Sequence, residues 1–396
     1  MPVVPLGFQL TGVHCGIKKN PQKEDFTLIH IPDGAVAAGV YTQNLVFAAP
    51  VALDRERTPS DCIRVVAINS GNANACTGER GMRDAREMAR FTAAACGAPE
   101  EQSLVMSTGI IGVFLPMDKI AAGATAAAAK LGSNDASFLA AARGITTTDK
   151  SHKVASRELK LGNRTIRLAS MCKGAGMIGP NMATMLAVVL TDAALTPADA
   201  QTLLKSVADE SFNCISVEGH MSTNDTMLLL ASGAASNAPL AGDDLRQFQA
   251  ALLETSIELC KQIPDDGEGA THLIEINVRG CKTRADARQI AQTVANSALV
   301  KTAISGGDPN WGRIVSAAGY SGVTFNPAGV DLTINGHPLY ERGAPVSFVA
   351  ATVSQAIKSR RETEILLTLR EGDAGIRFWT SDLNVDYVRF NADYST

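Results

Sequence analysis

Thr184 sits where a Gly/Pro-rich turn, Lys173-Gly174-Ala175-Gly176-Met177-Ile178-Gly179-Pro180-Asn181-Met182-Ala183, meets a continuous apolar run from Met185 to Thr191. A threonine hydroxyl inside a chain is a poor nucleophile. At the start of a chain the same hydroxyl stands beside a free α-amine that titrates at about pH 8, so the residue carries its own base. Cleavage between Ala183 and Thr184 would create that base. On spacing alone, the commoner role of a threonine opening an apolar strand is that of a β-former.

The same segment holds a second chemical signal. Gly174, Gly176 and Gly179 match the G-x-G-x-x-G dinucleotide fingerprint. That motif needs a helix directly after it, whose amino terminus receives the pyrophosphate, and here Pro180 and a strand pattern follow. The glycines are better read as places where the backbone turns sharply or approaches something closely. The six histidines fall singly, with no H-x-x-x-H and no Cys/His cluster at ligand spacing, and no G-x-x-x-x-G-K-[ST] loop is present. Neither a metal nor a cofactor is called for.

The elements that must position these residues alternate between helical and strand patterns. Asp84 to Cys96 reads as a helix stopped by Gly97, and Pro116 to Lys130 as an Ala-rich helix with proline at its start. Arg157 to Leu161 and Thr165 to Leu168 alternate around Gly162-Asn163, the pattern of a tight hairpin leading into Lys173. Beyond the apolar run, Thr196-Pro197-Ala198-Asp199 caps a helix carrying Leu203, Leu204 and Val207. Leu245, Phe248, Leu252 and Ile257 mark a further helix, Ile274, Ile276 and Val278 a strand, and Thr283 with Asp286 a capped helix start. Asn335-Gly336 and a strand over Ile365 to Leu369 complete a strand-rich end.

With 396 residues, 45% of them hydrophobic, the chain can bury two lobes. Its 36 basic and 40 acidic side chains leave a formal charge of -4, which offers nothing to nucleic acid or an anionic membrane and fits a small neutral or zwitterionic substrate. No apolar run approaches a spanning helix, and the amino terminus lacks a basic segment followed by an apolar one. Eight scattered cysteines without a C-x-x-C pair predict reduced, mostly buried thiols and a cytoplasmic protein.

Lys173 to Ile178 together with Asn181-Met182-Ala183-Thr184-Met185-Leu186 closely resembles the cleavage segment of the ornithine acetyltransferases (glutamate N-acetyltransferases). The likeness runs along nearly the whole chain. It includes Pro5-Leu6-Gly7-Phe8, Val40 to Asn44, Asn69 to Gly78, Ser107 to Gly112, Ser222-Thr223-Asn224-Asp225-Thr226, Asp308 to Arg313 and the ending Asp386 to Thr396. The resemblance implies a layered α/β sandwich of two interwoven chains after self-cleavage, an α chain of 1–183 and a β chain of 184–396. It implies an acetyl group moved from N-acetylornithine to glutamate through Thr184, with Thr108 and Gly109 as the oxyanion pair. Thr147, Lys173, Glu268, Asn391 and Thr396 match the family's substrate contacts. Lys173 can pair a carboxylate and Glu268 an ammonium, while the others supply orienting hydrogen bonds. The resemblance also implies a heterotetramer of two α and two β chains, and leaves open whether acetyl-CoA serves as a donor.

Taken without the family, Lys173 would be a solvated lysine and Glu268 part of an acidic surface loop. Two stretches depart from the family pattern: Val217-Glu218-Gly219-His220-Met221, and Ile304-Ser305-Gly306-Gly307 ahead of Asp308. The competing enzyme reading is an amino-terminal-nucleophile amidohydrolase or aminopeptidase, in which water replaces the amine acceptor. A non-catalytic amino-acid-binding protein is the reading from a different class, and it gives no reason for a threonine behind a scissile bond.

Overall fold

The computed structural model describes residues 3–179, 185–235 and 238–393. The chain opens with strands β1 (Gln9–Val13) and β2 (Phe26–Tyr41), helix α1 (Ala49–Arg57), β3 (Ser60–Asn72), α2 (Gly78–Ala95) and β4 (Ser103–Ile110). Helices α3 (Met117–Ala128) and α4 (Asp135–Gly144) lead to the hairpin of β5 (Lys153–Leu161) and β6 (Arg164–Lys173). After residue 184 come β7 (Leu186–Thr191), α5 (Pro197–Glu210), β8 (Ile215–Ser216), β9 (Thr226–Ala231) and α6 (Gly242–Asp265). Then follow β10 (Leu273–Cys281), α7 (Arg284–Asn296), α8 (Ala298–Gly306) and α9 (Trp311–Gly319). The chain continues through β11 (Asp331–Ile334), β12 (His337–Glu341), β13 (Ala344–Pro345), α10 (Ala350–Lys358), β14 (Glu362–Thr368), β15 (Ala374–Ser381) and α11 (Val385–Asp393).

Among the described residues the strands form two sheets, ordered β4-β3-β2-β9-β7-β6-β5, with β1 added on β2, and β13-β12-β11-β14-β10-β15-β8. In the first, β7 from beyond residue 184 lies between β6 from before it and β9, and β9 pairs in turn with β2. The reason is apolar on both faces. Every residue of β7 and β9 is buried, as strands covered on both sides require. Val188, Leu190, Leu228 and Leu230 face a core containing Phe138 of α4. Ala187, Val189, Met227 and Leu229 face the opposite core with Leu204 of α5 and Phe248 of α6. Each of the valine, leucine, methionine and phenylalanine side chains among them contributes about 1.5–3 kcal/mol of burial.

The capped helix starts appear where the sequence puts them: Thr196 accepts from the Asp199 N–H and Thr283 from the Asp286 N–H. The hairpin turns through Gly162 with φ +59°. Helix α2 starts earlier than Asp84, at Gly78, because its first turn packs through Gly81, whose added Cβ would lie 2.0 Å from Thr77 Oγ1. A glycine contact leaves no apolar signal in the sequence. The cysteines need correction too: all eight are free thiols, but only Cys172, Cys214, Cys260 and Cys281 are buried, and Cys62 and Cys76 are exposed. No described helix is long and apolar enough to cross a membrane.

Candidate active site

The end of β4 forms one wall. It runs parallel to β3, and Thr108 and Gly109 lie opposite Ser70 and Gly71. Gly109 has φ +134°, and a Cβ there would come within 2.3 Å of the Gly71 carbonyl carbon, so only glycine fits. The turn is braced from behind. The Asn224 side-chain amide donates to the carbonyls of Ser107 (2.8 Å) and Ala73 (2.6 Å), and Ser107 Oγ donates to Asn69 Oδ1 (2.6 Å).

The floor is a buried ionic cluster. Asp149 accepts from the Thr147 N–H (2.9 Å), the Gly174 N–H (2.7 Å) and Lys153 Nζ (2.6 Å), and Lys153 Nζ also donates to Asp266 (2.6 Å). The Asp149 carboxylate thereby joins the loop after α4 to the end of β6, and Lys153 at the start of β5 ties it to Asp266 just past α6. Burial alone would raise the Asp149 pKa, but the adjoining Lys173 and Lys153 cations hold it below the usual carboxylate range. Burial also pushes the Lys173 ammonium below its ordinary value, against the pull of Asp149. Lys173 is 4% exposed, not the solvated lysine its sequence context implies, and its Nζ makes no hydrogen bond to a described residue.

Opposite stand Glu268 and the carboxy-terminal helix. The Glu268 N–H donates to Ala175 O (3.0 Å), and its Oε2 accepts from Asn391 Nδ2 (3.1 Å) on α11. The glycines of the rejected fingerprint explain themselves here. A Cβ on Gly176 would lie 2.6 Å from the Glu268 carboxylate, and one on Gly179 would lie 2.4 Å from the Gly219 backbone. The next element among the described residues is a strand, β7, from Leu186. The unusual Glu218 is part of the same packing: its Oε1 accepts from the Ile178 N–H (2.6 Å), while the Ile178 carbonyl accepts from the N–H groups of Val217, Glu218 and Gly219. Burial lifts the Glu218 carboxyl to about 8. The other departure, Ile304 to Gly307, is the end of α8, closed by Gly307 in the left-handed region.

Thr108, Gly109, Thr147, Lys173, Glu268 and Asn391 line a single cavity of about 320 Å³ with Ser222, Thr223 and Asn224. Ala183, Thr184 and Thr396 lie outside the described residues. Met185, which follows Thr184, is buried, with its N–H donating to Asp225 Oδ1 (3.0 Å). Sequence reasoning missed Asp149, Lys153, Asp266, Asn224 and Asp225 as parts of this site. The only available signal was the Ser222-Thr223-Asn224-Asp225-Thr226 block, which marks a segment and no roles. Among the described residues no group of three or more His, Cys, Asp or Glu could hold a metal ion.

The ArgJ family model matches residues 9–396. The chain belongs to the ArgJ family. It is 47% identical to the arginine biosynthesis bifunctional protein ArgJ of Rhodopirellula baltica, across 100% of this chain and 97% of that one. The protein of the same name from Symbiobacterium thermophilum is 46% identical, across 99% and 98%. The crystal structure of arginine biosynthesis bifunctional protein ArgJ from Bacillus halodurans is 38% identical with a TM-score of 0.50, covering 51% of this chain and 96% of that chain. That solved ArgJ chain is therefore roughly half as long as this one.

Proposed function

We propose that this ArgJ-family enzyme moves the acetyl group of N-acetylornithine to glutamate through an acetyl ester on Thr184, after cutting itself between Ala183 and Thr184. The observation that carries the reading is the cavity in which Thr108, Gly109, Thr147, Lys173, Glu268 and Asn391 converge, with Lys173 paired in register to Leu186 at the start of β7. These residues come from both sides of position 184. The half-length ArgJ chain of the Bacillus halodurans structure supports a cut near the middle.

Thr184 Oγ attacks the acetamide carbonyl carbon while its α-amine takes the hydroxyl proton. The negative charge that develops on the acetyl oxygen is met by the Thr108 hydroxyl and the Gly109 N–H. The carbon–nitrogen bond breaks, the leaving nitrogen takes the proton from the α-ammonium, and ornithine departs. Glutamate enters the same cavity and reverses the steps. Lys173 pairs the α-carboxylate that both substrates share, so binding an anion restores the charge that burial disfavours. Glu268 pairs the side-chain ammonium of ornithine, and Thr147, Asn391 and Thr396 orient the rest. The two fragments, 1–183 and 184–396, stay together as α and β chains and pair into a heterotetramer.

Kinetics test this directly. Parallel double-reciprocal lines are expected, with an acetyl mass added to the 184–396 fragment when N-acetylornithine is supplied alone. Intersecting lines with no added mass would favour direct transfer in a ternary complex. Acetyl release at full rate without glutamate would favour the amidohydrolase. Running acetyl-CoA beside N-acetylornithine as donor decides between monofunctional and bifunctional transfer.

A further inference from the structure

Gly109 and Thr147 line a second cavity, of about 380 Å³, as well as the one described above. Its other walls are of a different kind. Lys18, Lys19 and Lys23 bring three ammonium groups to it, Ile17 and Ile110 bring apolar surface, and among the described residues no carboxylate lines it. The chain as a whole has a formal charge of -4, so this local excess of cations is no general basicity. The transfer proposed above uses none of the three lysines.

The lysines sit on a well-braced segment, the loop between β1 and β2. Asp25 is fully buried and accepts from the N–H groups of Cys15 (2.6 Å), Gly16 (3.1 Å) and Lys18 (2.9 Å). The Lys23 N–H closes a turn onto the Asn20 carbonyl (3.2 Å), and the Lys23 carbonyl accepts from His14 Nδ1 (2.9 Å). Both carboxylates of this loop are engaged away from the cavity, Asp25 with the backbone and His14, and Glu24 with Arg143 of α4 at 2.7 Å. Lys18 Nζ donates to the Glu24 carbonyl (2.7 Å). Burial, and then the neighbouring Lys23 and Lys173 cations, push its ammonium down to about 8 against the pull of Asp25 and Asp149. Like charges gathered without a counter-ion repel one another, and an anion placed among them relieves the repulsion. The loop also packs against the wall that carries Gly109. Gly71, opposite Gly109 in the β3–β4 register, has φ +110°, and a Cβ there would lie 3.0 Å from Ile17 Cγ2 and 3.4 Å from Lys18 Cγ.

A cavity that starts at the acyl-transfer wall, offers apolar surface and gathers ammonium groups fits a donor whose acyl group rides on a neutral arm with phosphate at the far end. N-acetylornithine carries no phosphate. We propose that this cavity is the phosphate subsite of a second acyl donor: Lys18, Lys19 and Lys23 hold the phosphate groups of an acyl thioester carried on a phosphorylated arm, which passes Ile17 and Ile110 and brings its acyl end to Gly109. The assignment rests on the reading of Thr108 and Gly109 given above. Transfer follows the same steps, with a carbon–sulfur bond breaking in place of the carbon–nitrogen bond and the leaving sulfur taking the proton.

Calorimetric titration of the whole protein with coenzyme A, with inorganic phosphate and with S-acetyl-N-acetylcysteamine, a thioester without phosphate, tests the site directly. Coenzyme A should bind at least roughly tenfold more tightly than either of the others. Lys19 and Lys23 are exposed, so Lys19→Ala/Lys23→Ala should fold. It should weaken coenzyme A binding by roughly tenfold or more, and Lys19→Arg/Lys23→Arg should restore it. In glutamate acetylation, the ratio of kcat/KM for acetyl-CoA to that for N-acetylornithine should fall by a similar factor in the alanine pair. Coenzyme A that does not bind wild type, or binds the alanine pair equally well, overturns the assignment. Inorganic phosphate bound as tightly as coenzyme A makes the cavity a site for the free anion and overturns the donor role. So does an unchanged ratio, or an enzyme active with N-acetylornithine that takes no acetyl group from acetyl-CoA. Lysine-dependent binding in a protein that transfers acetyl from neither donor keeps the phosphate subsite and overturns the reading of Thr108 and Gly109 instead.

Discussion

Thr108 and Gly109 illustrate how much a residue can be asked to do and how to measure it. Thr108 is 6% exposed at the mouth of the cavity, on a strand end whose neighbours Ser107 and Asn69 leave it little freedom. If its hydroxyl meets charge that exists only in the transition state, Thr108→Ala should lower kcat and kcat/KM together, by about 3–4 kcal/mol of barrier. Steady-state kinetics at several glutamate concentrations will show this, and a rise in KM alone would assign Thr108 to ground-state binding. The family likeness made Thr108, Thr147, Lys173, Glu268 and Asn391 legible, and the structure brings all five to one cavity. What residue types and spacing could not convey was burial. Lys173 and Glu268 look like surface charges in the sequence because the carboxylates around Lys173 and the glycines beneath Glu268 are distant or featureless there. Asp149 escaped notice because Thr147 and Lys153 are near it in sequence without marking a site, while Gly174 and Asp266, which complete the cluster, join it only in the fold.

At the scale of elements, the turn after β6 works as a set of close approaches. Gly176 gives the Glu268 carboxylate room that a methyl group would take, and the atom displaced would be the far end of a flexible side chain. Gly176→Ala should therefore cost little stability and raise KM for N-acetylornithine by about tenfold while kcat changes little. Glu218 clamps the next residues along, with its carboxyl lifted by burial to about 8. A carboxyl raised in the folded state stabilises fully below the unfolded value of about 4.3, and that contribution is lost as pH rises through 8. Glu218→Gln has no such dependence. Its melting temperature relative to wild type should climb by about 2–4 °C between pH 5 and pH 8, which parallel melts at one scan rate will measure. Helices with polar caps and the Gly162-Asn163 hairpin were legible because their signals are local. The start of α2 was not, because it packs through Gly81, and a missing side chain writes no periodicity.

Across the whole molecule, the first sheet decides what a cut can do. Strand β7 hydrogen-bonds to β6 on one side and to β9 on the other, and β9 continues to β2, so segments from before and after residue 184 alternate across one sheet. Fragments 1–183 and 184–396 should therefore run as one species in native size-exclusion chromatography and as two under denaturing conditions. Either fragment expressed alone should be insoluble or inactive, because it would expose β6 or β7 with apolar faces and unpaired edges. The same strand order has a historical consequence for each molecule. An uncut chain threads β7 between its neighbours while all three belong to a single polymer, so closing the sheet is a unimolecular search. Once severed, an unfolded pair would have to find each other by diffusion and reinsert the β7–β9 pair between β6 and β2, edges already prone to close on other partners. A severed molecule would then assemble only once: its architecture would keep a record of a connection no longer present, and heat or denaturant would erase that record for good.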